Sequence, residues 1–225
     1  MRRVHTVALD RVGYIDMSNI MLRLWCGPIV GFAFILVTLF LAALVPGYSL
    51  VRHSVSEIGA LSSPLRWPFS GFLVFEAALL ALFASALFET TRSRWPAVLL
   101  WIEAGCYLGL AAFPTPHPLH NLFGLGQVVG YSAMLAAWLS WRRDARLNRL
   151  ATVSGLLFAG FIVLFFGWMA VLIASIHNPA MLKVLAATQG LSQRTYIYAL
   201  PVWAIATGWS FRKLLADVPV TASAT

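Results

Sequence analysis

The chain has 225 residues, of which 60% are hydrophobic and only 11% charged, with a mean hydropathy of +0.80. Too few polar side chains are present to cover a soluble globule, so the composition excludes a water-soluble domain and points to apolar helices in a bilayer. The net charge of +8 would suggest a nucleic-acid partner in a soluble protein. Here the basic residues stand in short clusters between apolar runs, as in the loops of a membrane protein, and no nucleic acid is expected.

Residues 1–22 carry Arg2, Arg3, Asp10, Arg11 and Asp16 without an apolar run, so they are neither a signal peptide nor a span. They read as a cytoplasmic arm, or as a stretch ahead of a later start at Met17 or Met21. A first span is predicted from Gly27 to Val45, about the length needed to cross a hydrocarbon core, and Pro46 and Gly47 end it. Residues 48–67 are too polar to span and long for a connector, and such loops are more often functional or packed than idle. Further spans are predicted over Pro68–Phe88, Trp95–Phe113, Leu119–Trp141, Leu150–Ile176 and Tyr196–Leu214. The expected fold is an all-α bundle of six transmembrane helices over residues 23–214, followed by a disordered cytoplasmic tail at 215–225.

Arg2, Arg3, Arg11, Arg23, Arg92, Arg94, Arg142, Arg143, Arg146, Arg149, Arg212 and Lys213 fall on one side of this topology. Only Arg52, Arg66, Lys183 and Arg194 fall on the other, so both termini are expected in the cytoplasm and the odd-numbered connectors on the outer face. Trp67, Trp95, Trp101, Trp138, Trp141 and Trp209 lie mostly near predicted span ends, where tryptophans anchor helices at the interface. Cys26 and Cys106 form no framework and read as buried thiols.

The topology then sorts the histidines. His53, His117, His120 and His177 come from the three outer connectors, and FPTPHPLHN at 113–121 turns the third span into the fourth with Pro118 at the helix start. His53 and Glu57 stand one helical turn apart. Zinc is the metal that such imidazoles and a carboxylate would take, although the spacing matches no tight zinc motif. A solvated or structural polar rim is the plainer reading of the same residues. In the fourth span His120, Gly124, Gln127 and Tyr131 recur at helical spacing, and Gln127 would be costly against lipid, so this stripe is expected to face inward. Gly126 and Gly130 offer a competing explanation, a close helix contact in which Gln127 merely bonds a neighbour. Glu76 and Glu103 lie inside consecutive antiparallel spans at similar depth. They are candidates for proton carriers or cation partners, or else neutral acids bonded to a carbonyl or to Tyr107. In GLSQRTY at 190–196, Gln193 and Arg194 stand at the outer end of the last span. There Arg194 is expected to meet a phosphate, a carboxylate or Glu57, or to serve as a snorkelling anchor.

HSVSEIGA at 53–60, Phe113 and Pro114 followed by His120, and GLSQR at 190–194 resemble the bacterial and archaeal membrane family called domain of unknown function 998, over roughly residues 27–214. The resemblance implies a six-helix fold in the cytoplasmic membrane, with Ser56, Gly59, Pro114, His120, Gln193 and Arg194 as recurring features and no established activity. His117 and the basic arm are not part of it. Two functions are expected from these readings. One is a binding or transport component that holds a small ligand or lipid headgroup at an outer-face site, with Gln193 and Arg194 on its anionic part, Ser56 and Gln127 as further ligand-binding residues, and His53, Glu57 and His120 orienting it. The other is a zinc-dependent membrane hydrolase with Glu57 as general base. Whether the protein is an enzyme is left open by the residues.

Overall fold

The structure is a computed structural model that describes residues 17–217. Among the described residues there is no strand, and the chain forms eight helices: α1 (Met17–Leu44), α2 (Val55–Ile58), α3 (Arg66–Thr90), α4 (Trp95–Ala112), α5 (Pro118–Trp141), α6 (Asn148–Ala174), α7 (Pro179–Ile197) and α8 (Ala199–Ala216). Five of them, α1, α3, α4, α5 and α6, are long and apolar enough to cross a membrane. Each of these lies close to a predicted span, except that α1 begins at Met17 rather than Gly27. The added turns are held by packing, because Ile20 and Leu24 are buried and Arg23 reaches α3. Its guanidinium grips Glu89 through two bonds of 2.9 and 2.6 Å and also donates to Ser85 Oγ. The expectations for Arg2, Arg3, Asp10, Arg11 and Asp16 and for the end of the tail lie outside the described residues.

The remaining predicted span corresponds to α8, which is 18 residues long, less apolar than the other five and closed by Arg212 and Lys213. It runs antiparallel along α1 at glycine contacts. A Cβ on Gly27 would stand 2.9 Å from the Ala204 carbonyl, one on Gly31 would meet Pro201, and one on Gly208 would stand 2.7 Å from the Leu24 carbonyl. Small residues at these positions let the two backbones approach within a distance that any side chain would prevent. The α4–α5 hairpin uses the same device. A Cβ on Gly126 would lie 2.8 Å from Cys106 Sγ and one on Gly130 would lie 3.0 Å from Glu103 Cα, so the glycine pair of the fourth span is a helix contact.

Between α3 and α4 the indole of Trp101 donates to the Ala81 carbonyl at 3.1 Å. At the periphery α6 buries little, chiefly Leu150, Ala151, Ser154 and Phe161, and Trp203 of α8 donates to its Ser154 Oγ at 2.8 Å. Trp67, Trp95 and Trp209 are exposed, as interfacial anchors would be, whereas Trp141 is turned into the core and stacks on Trp203. Both cysteines are free and buried.

The chain enters and leaves at one end of this frame, where Arg23, Arg92, Arg94, Arg212 and Lys213 also stand. At the other end lie the first connector with α2, the third connector, and α7, a helix of 19 residues that the sequence reading treated as loop. Replacing Gly208 with valine drives its side chain against Pro28 and Leu24, and overpacking of this kind costs about 1–3 kcal/mol. Its midpoint of thermal aggregation should fall clearly, while Gly105→Ala, which adds a methyl where nothing lies within 4 Å, should leave it within error.

Candidate functional site

The site is built from the connector end downward, and its first member is Arg194. Arg194 lies on the last turn of α7 and is buried at 6% exposure. No carboxylate meets it, since the ion pairs among the described residues are Arg23–Glu89 and Arg146–Asp144. Instead Nη1 donates to the carbonyls of Leu50, His53 and Gly190 at 2.8–2.9 Å, and Nη2 donates to the Tyr48 hydroxyl at 2.6 Å. Tyr48 passes the interaction on by donating to the Ser54 carbonyl at 2.6 Å and sharing His53 O. Burial pushes the Tyr48 phenol above its usual range, against the pull of Arg194, so the hydroxyl keeps the proton it donates. A buried guanidinium with five donors in a fixed fork can gather several carbonyls at once, which a lysine cannot. Nε has no partner.

Gly190, one turn before Arg194, makes this approach possible: a Cβ there would meet the carbonyls of His53 and Leu50. Next to the clamp the Leu191 N–H donates to Val51 O at 3.0 Å, and Gln193 Oε1 accepts from the Val55 N–H at 2.6 Å. From the other side the Leu61 N–H donates to Thr115 O at 2.9 Å. All three connectors are therefore joined through the first, which forms a roof over the bundle.

Within the roof, Glu57 and His53 do not share a helix face. Ser54 is the N-cap of α2, and Glu57 folds back to accept from the Ser54 N–H at 2.8 Å and from its Oγ at 3.0 Å, so the carboxylate serves as a helix cap. Nδ1 of His53 accepts from the Ser49 N–H at 2.8 Å, and Nδ1 of His117 accepts from the Leu119 N–H at 3.2 Å. The neutral forms of both rings thus carry their proton on Nε2, and each would have to surrender a backbone bond before ligating through that nitrogen. His120 differs. Its Nδ1 lies 2.9 Å from the Phe113 carbonyl, which accepts, so Nδ1 carries the proton and Nε2 keeps its lone pair. His177 is exposed beyond the end of α6. Among the described residues no three His, Cys, Asp or Glu side chains stand together as a metal site requires.

Below the roof a narrow cleft, open at its mouth, enters the bundle between α1, α3, α4 and α5; about 540 Å³ of non-atom space lies in it and in the open solvent at its mouth together. Its roof side is lined by Val55, Ser56 and Gly59 of the α2 segment and by Gln193 and Ile197 of α7, its rim by Pro114 and His120, and its depth by Tyr107, Gln127 and Tyr131. Phe34, Phe69, Leu73 and Leu110 supply apolar wall, with Ser70 among them. A Cβ on Gly59 would collide with the Phe69 ring, so a glycine is what lets α2 settle onto α3. Of the stripe on α5, His120, Gln127 and Tyr131 line the cleft, whereas a Cβ on Gly124 would meet nothing within 4 Å.

At the base, the Gln127 amide donates to Glu103 Oε1 at 3.0 Å. Glu103 is fully buried and its Oε2 has no hydrogen-bond partner; Glu76 is fully buried with neither oxygen bonded. Tyr107 lies within electrostatic range of both acids, yet neither donates to it. Sequence reasoning missed Tyr48, Ser70 and the role of Gly190. Only Gly190 left a legible signal, a small residue one helical turn from Arg194.

Arg194→Met removes every donor of the clamp while keeping much of its bulk. Loss of hydrogen bonds from a buried charged group is expected to cost about 3 kcal/mol and to free the roof. Hydrogen exchange at the amides of Leu191, Val55 and Leu61 should rise together, and Arg194→Lys should recover only part of their protection.

No curated protein and no solved structure matches the chain, but a family model described as "Protein of unknown function (DUF998)" matches residues 28–210, a span that contains every residue lining the cleft. The chain belongs to the DUF998 family.

Proposed function

We propose that this protein is a multi-pass component of the cytoplasmic membrane that binds a small amphipathic ligand or a lipid headgroup in the roofed cleft, for carriage or presentation at the outer face. The observation that carries the reading is the convergence of Ser56, His120, Gln127 and Gln193 on one cleft with apolar walls. Few polar groups set in an apolar cavity are the usual form of a small-molecule site. The residues that recur in the resemblance are then divided by task. Ser56, His120 and Gln193 face the ligand, while Gly59, Pro114 and Arg194 build the enclosure.

In this reading α8 is a sixth crossing, both termini are cytoplasmic, and the roof is outside. Support comes from the antiparallel glycine contact of α8 with α1 and from the basic residues at the opposite end. A zinc-hydrolase reading has no comparable support, since the rings of His53 and His117 are engaged through Nδ1 by backbone amides.

Two experiments test these statements. In intact cells, a membrane-impermeant maleimide should label Ser62→Cys on the roof and leave Ala145→Cys unlabelled until the membrane is opened; the reverse pattern would invert the orientation. Protein extracted from its own membrane should retain an amphiphile detectable by native mass spectrometry, and Ser56→Trp, which fills the cleft mouth, should lose it without loss of the folded monomer peak. Equal retention by the variant would sink the cleft as the binding site.

A further inference from the structure

Three polar groups of the cleft, Gln193, Gln127 and His120, are each held by a hydrogen bond behind them, whereas the hydroxyls of Ser56, Ser70 and Tyr107 turn to suit either a donor or an acceptor. Gln193 has its oxygen engaged by the Val55 N–H at 2.6 Å, which leaves the amide nitrogen, a donor, to the cleft. Gln127 has its nitrogen engaged by Glu103 Oε1 at 3.0 Å, which leaves its oxygen, an acceptor. His120 has Nδ1–H engaged by the Phe113 carbonyl, which leaves the Nε2 lone pair, a second acceptor. The bond behind it fixes which end of each amide, and which ring nitrogen of His120, is turned to the cleft; each amide also keeps its second N–H or second lone pair at the engaged end.

No Lys, Arg, Asp or Glu lines the cleft. The nearest cation in sequence, Arg194, directs Nη1 and Nη2 to carbonyls and to Tyr48. Glu103 stands behind Gln127 rather than in the wall. A charged ligand group would enter this apolar enclosure without a counter-charge, at a large desolvation cost.

Resting on the cleft as the binding site, we infer that its ligand carries an uncharged head with both a hydrogen-bond donor and an acceptor, such as a hydroxyl, diol or carboxamide on an apolar body. The O–H or N–H of that head meets Gln127 on α5, and its oxygen meets the amide of Gln193 on α7. His120 lies seven positions before Gln127 on α5, about 10 Å away along the axis and beyond the reach of the same small head, so it offers a separate acceptor at the rim. In this arrangement Glu103 is a positioning residue: by holding the nitrogen of Gln127 it keeps the oxygen turned to the ligand.

The test uses the full-length protein in lipid nanodiscs and four probes of equal chain length: a monoacylglycerol, its di-O-methyl ether, the fatty acid, and the alkyltrimethylammonium. The monoacylglycerol should bind at least about tenfold more tightly than each of the others, since a mismatched or charged head leaves buried groups unpaired. Gln127→Leu should erase the preference for the free hydroxyls over the methylated head. Glu103→Leu should do the same by releasing the amide to turn over, and Glu103→Gln, whose carbonyl still accepts from Gln127, should restore it. A purely structural role for Glu103 would lower all affinities together and leave that ratio unchanged, which would overturn its assignment. Tighter binding of the fatty acid or the ammonium, lost in Ser56→Trp, would overturn the uncharged class while leaving the cleft as the site. Failure of all four probes to bind would overturn the cleft reading itself.

Discussion

Everything at the functional end of the molecule depends on one buried guanidinium. Arg194 gathers backbone carbonyls from the first connector and from its own helix and adds the Tyr48 hydroxyl. The connector seats Val55 and Ile58 in the core, and Arg194 adds a donor set in the protein interior for the carbonyls of Leu50 and His53 that precede them. A charge with several strong acceptors is stable there because its lost hydration is replaced bond for bond. With Arg194 in place α2 is held over the helices, Ser56 and Gly59 line the mouth, and Gln193, the preceding residue, is brought to the opposite side of the opening.

The frame beneath this roof is made by close backbone contacts. Within a bilayer, water cannot drive helices together, so association depends on packing and on the few polar bonds available. Gly27, Gly31 and Gly208 bring α1 and α8 together, and Gly126 and Gly130 bring α4 and α5 together. The second contact has a chemical outcome. By bringing α5 against Glu103 it sets Gln127 within bonding distance of a carboxyl group that faces no solvent. The close contact of Gly126 and Gly130 and the bond of Gln127 to Glu103 are therefore one feature at this point.

Glu76 and Glu103 stand on the neighbouring helices α3 and α4, and both side chains are buried. Depth does not say what a side chain touches. Glu103 meets Gln127, whereas Glu76 has no hydrogen-bond partner, and neither bonds to Tyr107.

Composition and apolar run length determined the helical membrane class, and five spans were legible to within a few residues at most ends, because in a bilayer each span must satisfy its own backbone hydrogen bonds over a fixed thickness. Local chemistry was legible as well: the turn after Pro46, the proline that opens α5, and the motifs that mark the family. What the chain order could not reveal was partnership across long separations. Gln193 bonds Val55, Arg194 bonds Leu50 and His53, and Thr115 bonds Leu61, so chain order leaves α7 as a connector and Arg194 open between an anionic ligand, Glu57 and a snorkelling anchor. Likewise His53, His117 and His120 are one residue type with different hydrogen-bond partners. Only the tertiary structure decided between them, because a hydrogen bond to one side of a polar group fixes what its other side can do.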